Sequence, residues 1–133
     1  MHAHAPGPLE VVAGGRPVLL VEDDADVREV MAAMIESWGY PVEVAAEGLA
    51  GVDLARRSPP RIALVDIALP GIDGYEVARR VREVLPKGRT RLVAMTGFGR
   101  PEDRARALQA GFDTHLVKPV EPEDLRKLII EAG

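Results

Sequence analysis

A doubly wound α/β domain is what this 133-residue sequence predicts, and three observations predict it. Five short β-type runs alternate with helical patterns along the chain. The runs are apolar almost throughout, as strands covered on both faces are. Each connection is long enough to hold a helix, which makes the strands parallel and the crossovers right-handed. In such a sheet every strand ends on the same edge, and sites form there, outside the point where strand order reverses.

Residues 1–16, "MHAHAPGPLEVVAGGR", are rich in Ala, Pro and Gly, lack periodicity, and read as a flexible tail or linker. His2 and His4 have no third ligand nearby and belong to that tail. The domain spans 17–131. Its first strand is "VLLVE", followed by a helix that buries Val27, Val30, Met31, Met34, Ile35 and Trp38 at three- and four-residue spacing. Asp26 is the expected N-cap, Glu29 completes a capping box, and Gly39 stops the helix. "VEVAA" is the second strand and 47–57 the second helix. "RIALVD" is the third, followed by a Pro- and Gly-rich loop and a helix over 74–84. "RLVAMT" precedes the turn "GFGRPE" and a helix over 101–110. "THLVK" leads to the last helix, 122–131, with Leu125, Leu128 and Ile129 on one face.

Composition narrows the function. A hydrophobic content of 47% supports a real core in one domain. A formal net charge of −4 gives no general attraction to nucleic acid or anionic membrane, so direct contact with either is not expected. Arg79, Arg80 and Arg82 are accordingly read as a solvated helix face. The absence of cysteine excludes disulfides, thiolate metal sites and a cysteine nucleophile. No apolar run approaches the ~18 residues of a membrane helix, and no signal peptide opens the chain; a cytoplasmic location is expected.

Four of the five strands end in a chemically capable residue: Glu22 and Asp23 after the first, Asp66 at the third, Thr96 at the fourth, Lys118 at the fifth. An acid closing "IALVD" is the most telling, because a buried carboxylate either neutralises or finds partners. Carboxylates gathered in one cleft repel by about 4 kcal/mol per close pair at an effective dielectric of 20, so they call for a cation. An all-oxygen set suits a hard ion such as Mg²⁺. Lys118 adds a positive charge and Thr96 a hydroxyl donor. These are the parts of a phosphoryl-transfer site with a carboxylate nucleophile.

From about Arg16 to Glu131 the chain resembles the receiver domain of two-component response regulators. The resemblance is carried by "VLLVEDDADVR", "LVDIALPGIDGYEV", "VAMTGFG" and "HLVKP", in this order. It implies a flavodoxin-like (βα)5 fold with strand order 2-1-3-4-5. It implies that Asp66 accepts a phosphoryl group from a histidine kinase or a phosphotransfer protein, and that Glu22, Asp23, Asp66 and the carbonyl of Ala68 hold Mg²⁺. Thr96 and Lys118 would contact the acyl phosphate, and the Lys118 to Pro119 peptide would be cis. His115 stands where receivers usually carry the aromatic partner of the switching hydroxyl, here Thr96. The fourth helix, fifth strand and fifth helix flank both and form the expected partner surface. Ala68 and Phe98 stand where polar side chains hold the hydrolytic water in short-lived receivers, so slow loss of phosphate is expected.

Three other readings fit these residues less well. An Mg²⁺-dependent aspartyl phosphohydrolase would carry D-x-D, and the second position here is Ala68. A pseudo-receiver without phosphorylation sits poorly with the full set of Glu22, Asp23, Asp66, Thr96 and Lys118. A flavin-binding domain lacks support from 4% aromatic residues and has no Ser/Thr-rich loop after the first strand. The reading is of a phosphoacceptor, not an enzyme, apart from self-dephosphorylation. Both a free-standing regulator and the C-terminal receiver of a hybrid histidine kinase fit.

Overall fold

The computed structural model describes residues 15–97 and 99–132; His2, His4 and Phe98 lie outside them. The elements are β1 (Val18–Val21), α1 (Ala25–Ser37), β2 (Val42–Ala45), α2 (Gly48–Arg57), β3 (Ile62–Asp66), α3 (Gly74–Val84), β4 (Arg91–Thr96), α4 (Pro101–Ala110), β5 (Thr114–Val117) and α5 (Pro122–Ala132). The strands form one parallel sheet in the order β2-β1-β3-β4-β5. That is the doubly wound, flavodoxin-like arrangement expected.

Strand alternation splits the core in two. Leu19, Val21, Ala63, Val65, Leu92 and Ala94 face α2, α3 and α4, where they meet Val52, Val77, Val81 and Phe112. Val18, Leu20, Ile62, Leu64, Val93 and Met95 face α1 and α5, where they meet Met31, Ile35, Leu125 and Ile129. Both faces being covered, every residue of β1 and β3 is buried, which explains their unbroken apolar runs. The outer strands β2 and β5 are only partly buried.

Three local expectations need correction. The N-cap of α1 is Asp24, not Asp26: Asp24 is extended and its Oδ1 accepts from the amides of Asp26 and Val27 at 3.0 and 3.2 Å. Asp26 already sits in the first turn, where its charge faces the positive end of the helix. Val27 and Val30 are 37% and 67% exposed, because within α1 only the narrow stripe through Met31 and Ile35 is buried against the sheet. Met34 and Trp38 pack against the core from its margin. Arg82 is no solvated residue either. It donates from Nε to Gly111 O at 2.9 Å, from Nη1 to Thr90 O at 2.7 Å and from Nη2 to Asp113 Oδ2 at 2.7 Å, tying α3 to the C-terminal end of α4, the turn before β5 and the start of β4. Arg79 and Arg80 do lie on the outer face, paired with Glu76.

Gly74 brings α3 against the end of β3. A Cβ there would stand 2.6 Å from Asp66 O and 2.7 Å from Ile67 Cα, both backbone atoms that cannot swing aside. Gly74→Ala is expected to cost about 2 kcal/mol or more in urea unfolding, at the severe end for overpacking, since relief requires moving the strand end that carries Asp66.

Candidate functional site

The sheet topology delivers the expected side chains to one edge. Asp66 is the last residue of β3 and is 5% exposed; Glu22 directly follows β1 and is 1% exposed. Asp23 is exposed beside them. One oxygen from each of Glu22, Asp23 and Asp66 lies within 4.8 Å of the other two. Thr96 closes β4 and is buried, and its carbonyl accepts from the Lys118 amide at 2.7 Å. The Lys118 to Pro119 peptide is cis.

Lys118 supplies the partner that the buried acids need. Its Nζ donates to Glu22 Oε1 at 2.8 Å and to Asp66 Oδ2 at 2.9 Å. The remaining oxygens are met by backbone: Asp66 Oδ1 accepts from the Ala68 amide at 2.9 Å, and Glu22 Oε2 from the Asp24 amide at 3.2 Å. Burial raises the pKa of Glu22, with the bond from Lys118 pulling the other way and Asp66 adding repulsion. Burial alone would lower the Lys118 pKa, but its bonds to Glu22 and Asp66 outweigh that and raise it, so the ammonium persists at neutral pH.

A cleft of about 240 Å³ opens beside Asp66, which lines it together with Ala68, Tyr75, Thr96, Gly97 and Asp103. Ala68 offers it no polar side chain, and Phe98, its expected companion, is outside the described residues. His115 is half-buried on β5, opposite Ala94, in a small cavity with Leu108 and Phe112.

Tyr75 was not singled out from the sequence. It is 5% exposed, lines the cleft, and lies 4.0 Å beneath the guanidinium of Arg106, which joins α3 to α4 at the mouth of the site. Its place in "GIDGYEV", one residue into α3 after a loop returning from Asp66, was the available signal. An apolar groove also runs beside the site, between Val27, Val30 and Met34 of α1 and Pro119 and Val120 beyond β5, with Lys118 at its end.

The model of the response regulator receiver domain family matches residues 18–130. The chain belongs to that family. Over 113 residues it is 42% identical to an uncharacterized 14.6 kDa protein of Leptolyngbya boryana, covering 84% of this receiver domain's chain and 86% of that protein. It is 36% identical to the transcriptional regulatory protein AfsQ1 of Streptomyces coelicolor, covering 78% of this chain but only 45% of the regulator. Among solved structures it resembles the receiver domain of sensor histidine kinase PA1611 from Pseudomonas aeruginosa, at TM-score 0.79 and 34% identity over 88% of this chain and 96% of that one. That structure has a magnesium ion coordinated in its active site cleft. Receiver domains of this family act in two-component signalling, generally as phosphoacceptors without other enzymatic activity. No described helix of this one is long and apolar enough to cross a membrane.

Proposed function

We propose that Asp66 takes a phosphoryl group from the phosphohistidine of a histidine kinase or phosphotransfer protein, and that the added phosphate resets a partner-binding surface. The observation that carries this is Lys118 bonded to Asp66 and Glu22 at once, while Asp66 also lines an open cleft. An Asp66 carboxylate oxygen attacks phosphorus; the O–P bond forms, the P–N bond breaks, and its electron pair returns to the donor imidazole, leaving an acyl phosphate. Lys118 neutralises charge on the phosphoryl oxygens and the Thr96 hydroxyl donates to one of them. The groove along Val27, Val30 and Pro119 gives the donor protein an apolar seat continuous with the site.

The three clustered carboxylates fit a hard divalent ion. Glu22, Asp23, Asp66 and the Ala68 carbonyl are the residues that would hold Mg²⁺. When bound it supplies positive charge against the transferring phosphoryl group. Binding to the folded form alone stabilises it by about 1.4 kcal/mol at ten times the Kd. Mg²⁺ is therefore expected to raise the melting temperature over EDTA, and Glu22→Gln with Asp23→Asn to remove the increment. Acetyl phosphate with Mg²⁺ should add one phosphoryl mass to the intact protein, and EDTA should prevent it; EDTA-insensitive labelling would contradict the reading.

Thr96 and His115 form the switch in this reading, on neighbouring strands beside α4. The output surface is that of α4, β5 and α5, which exposes Leu108, Val117 and Ile130. The receiver unit is 17–131, with 1–16 as tail or linker.

A further inference from the structure

The opposite edge of the sheet, where the strands begin, carries a pocket that phosphoryl transfer does not use. β1, β3 and β4 start side by side, with Val18 in register with Ile62 and Ile62 with Arg91. The residues ahead of them are thereby gathered around a cleft of about 430 Å³, and five of its side chains are cationic: Arg16, Arg61, Lys87, Arg89 and Arg91. Against them stand two acids, Asp113 and Glu131, and Asp113 is already bonded to Arg82 and to the Leu92 amide. Such an excess of positive charge is notable in a chain of net charge −4.

The cations are held there by the fold. Arg61 is 6% exposed, donates from Nε to Arg16 O at 3.2 Å and lies over the Tyr40 ring. Arg16 Nη2 donates to Pro60 O at 2.6 Å and also to Arg89 O. Burial, then repulsion from Arg89 and Arg61, lowers the Arg16 pKa. Two guanidinium nitrogens, Arg16 Nε and Arg91 Nε, are shut off from solvent and have no hydrogen-bond partner among the described residues. A buried N–H left in that state is unfavourable until an acceptor arrives.

We propose that this edge binds a small phosphate-bearing anion, of the class of pyrophosphate or a nucleotide. Guanidinium forks match phosphate oxygens two at a time, and the cleft has the volume of a small-ligand site. Asp113 and Glu131 on its wall disfavour an extended polyanion lying across the rim and favour a compact one seated between the arginines. Arg16 and Ala132 both line the cleft, so a bound anion touches the segments that lead into and out of the domain, at the edge opposite Asp66.

Titration calorimetry of the full chain with inorganic pyrophosphate in EDTA, with amide shifts mapped by NMR, tests this. Sub-millimolar binding is expected, with the largest shifts around Thr90 and Arg91. Lys87 and Arg89 are exposed, so Lys87→Glu with Arg89→Glu keeps the fold and should weaken binding by about tenfold or more. The control pair Arg56→Glu with Arg57→Glu, on exposed α2 positions, should leave it unchanged. ATP binding more tightly than pyrophosphate identifies a nucleotide as the ligand; equal affinity identifies the phosphates alone. No binding at millimolar pyrophosphate, equal loss in both charge-reversed pairs, or shifts centred on Lys118 would overturn the proposal. A single-stranded oligonucleotide binding more tightly than either anion would overturn the compact ligand.

Discussion

Asp66→Asn is expected to lower phosphoryl uptake from acetyl phosphate or a phosphorylated donor by about three orders of magnitude or more, to background. The substitution keeps the shape of the side chain and exchanges a nucleophilic carboxylate for an amide that does not attack phosphorus. The change should leave the fold intact, because the amide oxygen can keep one of the two bonds the carboxylate accepts, that from the Ala68 amide or that from Lys118. Easing the repulsion among three clustered carboxylates should even raise stability in EDTA. The measurement is intact mass after timed incubation, beside a urea melt of the same preparation. Labelling at the wild-type rate in a folded Asp66→Asn protein would place the phosphoacceptor elsewhere.

Lys118→Met is the second large effect, and it acts on both rate and stability. Losing the ammonium bonded to Asp66 should slow transfer by roughly 10²- to 10³-fold, as loss of one preorganised charge partner does. It also leaves Glu22, 1% exposed, without its ion pair. Breaking a buried pair costs about 3–5 kcal/mol in full. The Lys118 side chain is 30% exposed, so solvent screening brings the expected loss in EDTA to about 1–3 kcal/mol. Mg²⁺ should restore part of it.

The pH dependence has a definite sign. A lysine with raised pKa gives stability that is present below its unfolded value of 10.5 and lost as pH rises through its folded value. Glu22, raised above 4.5 by burial, opposes folding when charged, and that cost vanishes as pH falls through its folded pKa. Without Lys118 that pKa rises further. The deficit of Lys118→Met should therefore be largest from neutral pH up to the lysine's titration and shrink toward acid, read from urea melts across pH. Lys118→Arg, which keeps the charge, should recover more stability than rate.

Much of this protein was legible in its sequence because the signals were local or periodic. Five apolar runs separated by helical patterns specify parallel strands covered on both faces, and that topology alone puts Glu22, Asp66, Thr96 and Lys118 on one edge. An acid at the end of "IALVD" declares itself, since few bland explanations exist for a carboxylate in that position. What depends on which side of an element meets a neighbour was not legible. Spacing in α1 marks six apolar positions alike, and only the width of the contact with the sheet decides that Met31 and Ile35 are buried while Val30 is exposed. Asp24 and Asp26 are chemically equivalent caps until the backbone shows which is extended. Arg82 reads as a surface residue until the carbonyls of Thr90 and Gly111, 8 and 29 residues away, close around it. The gathering of Arg16, Arg61 and Arg91 likewise comes from strands distant in sequence beginning side by side, Arg16 and Arg61 being 45 residues apart, so no local pattern announces it. Sequence sets what each segment tends to form and which chemistry it carries; long-range packing alone determines which of those groups share a site.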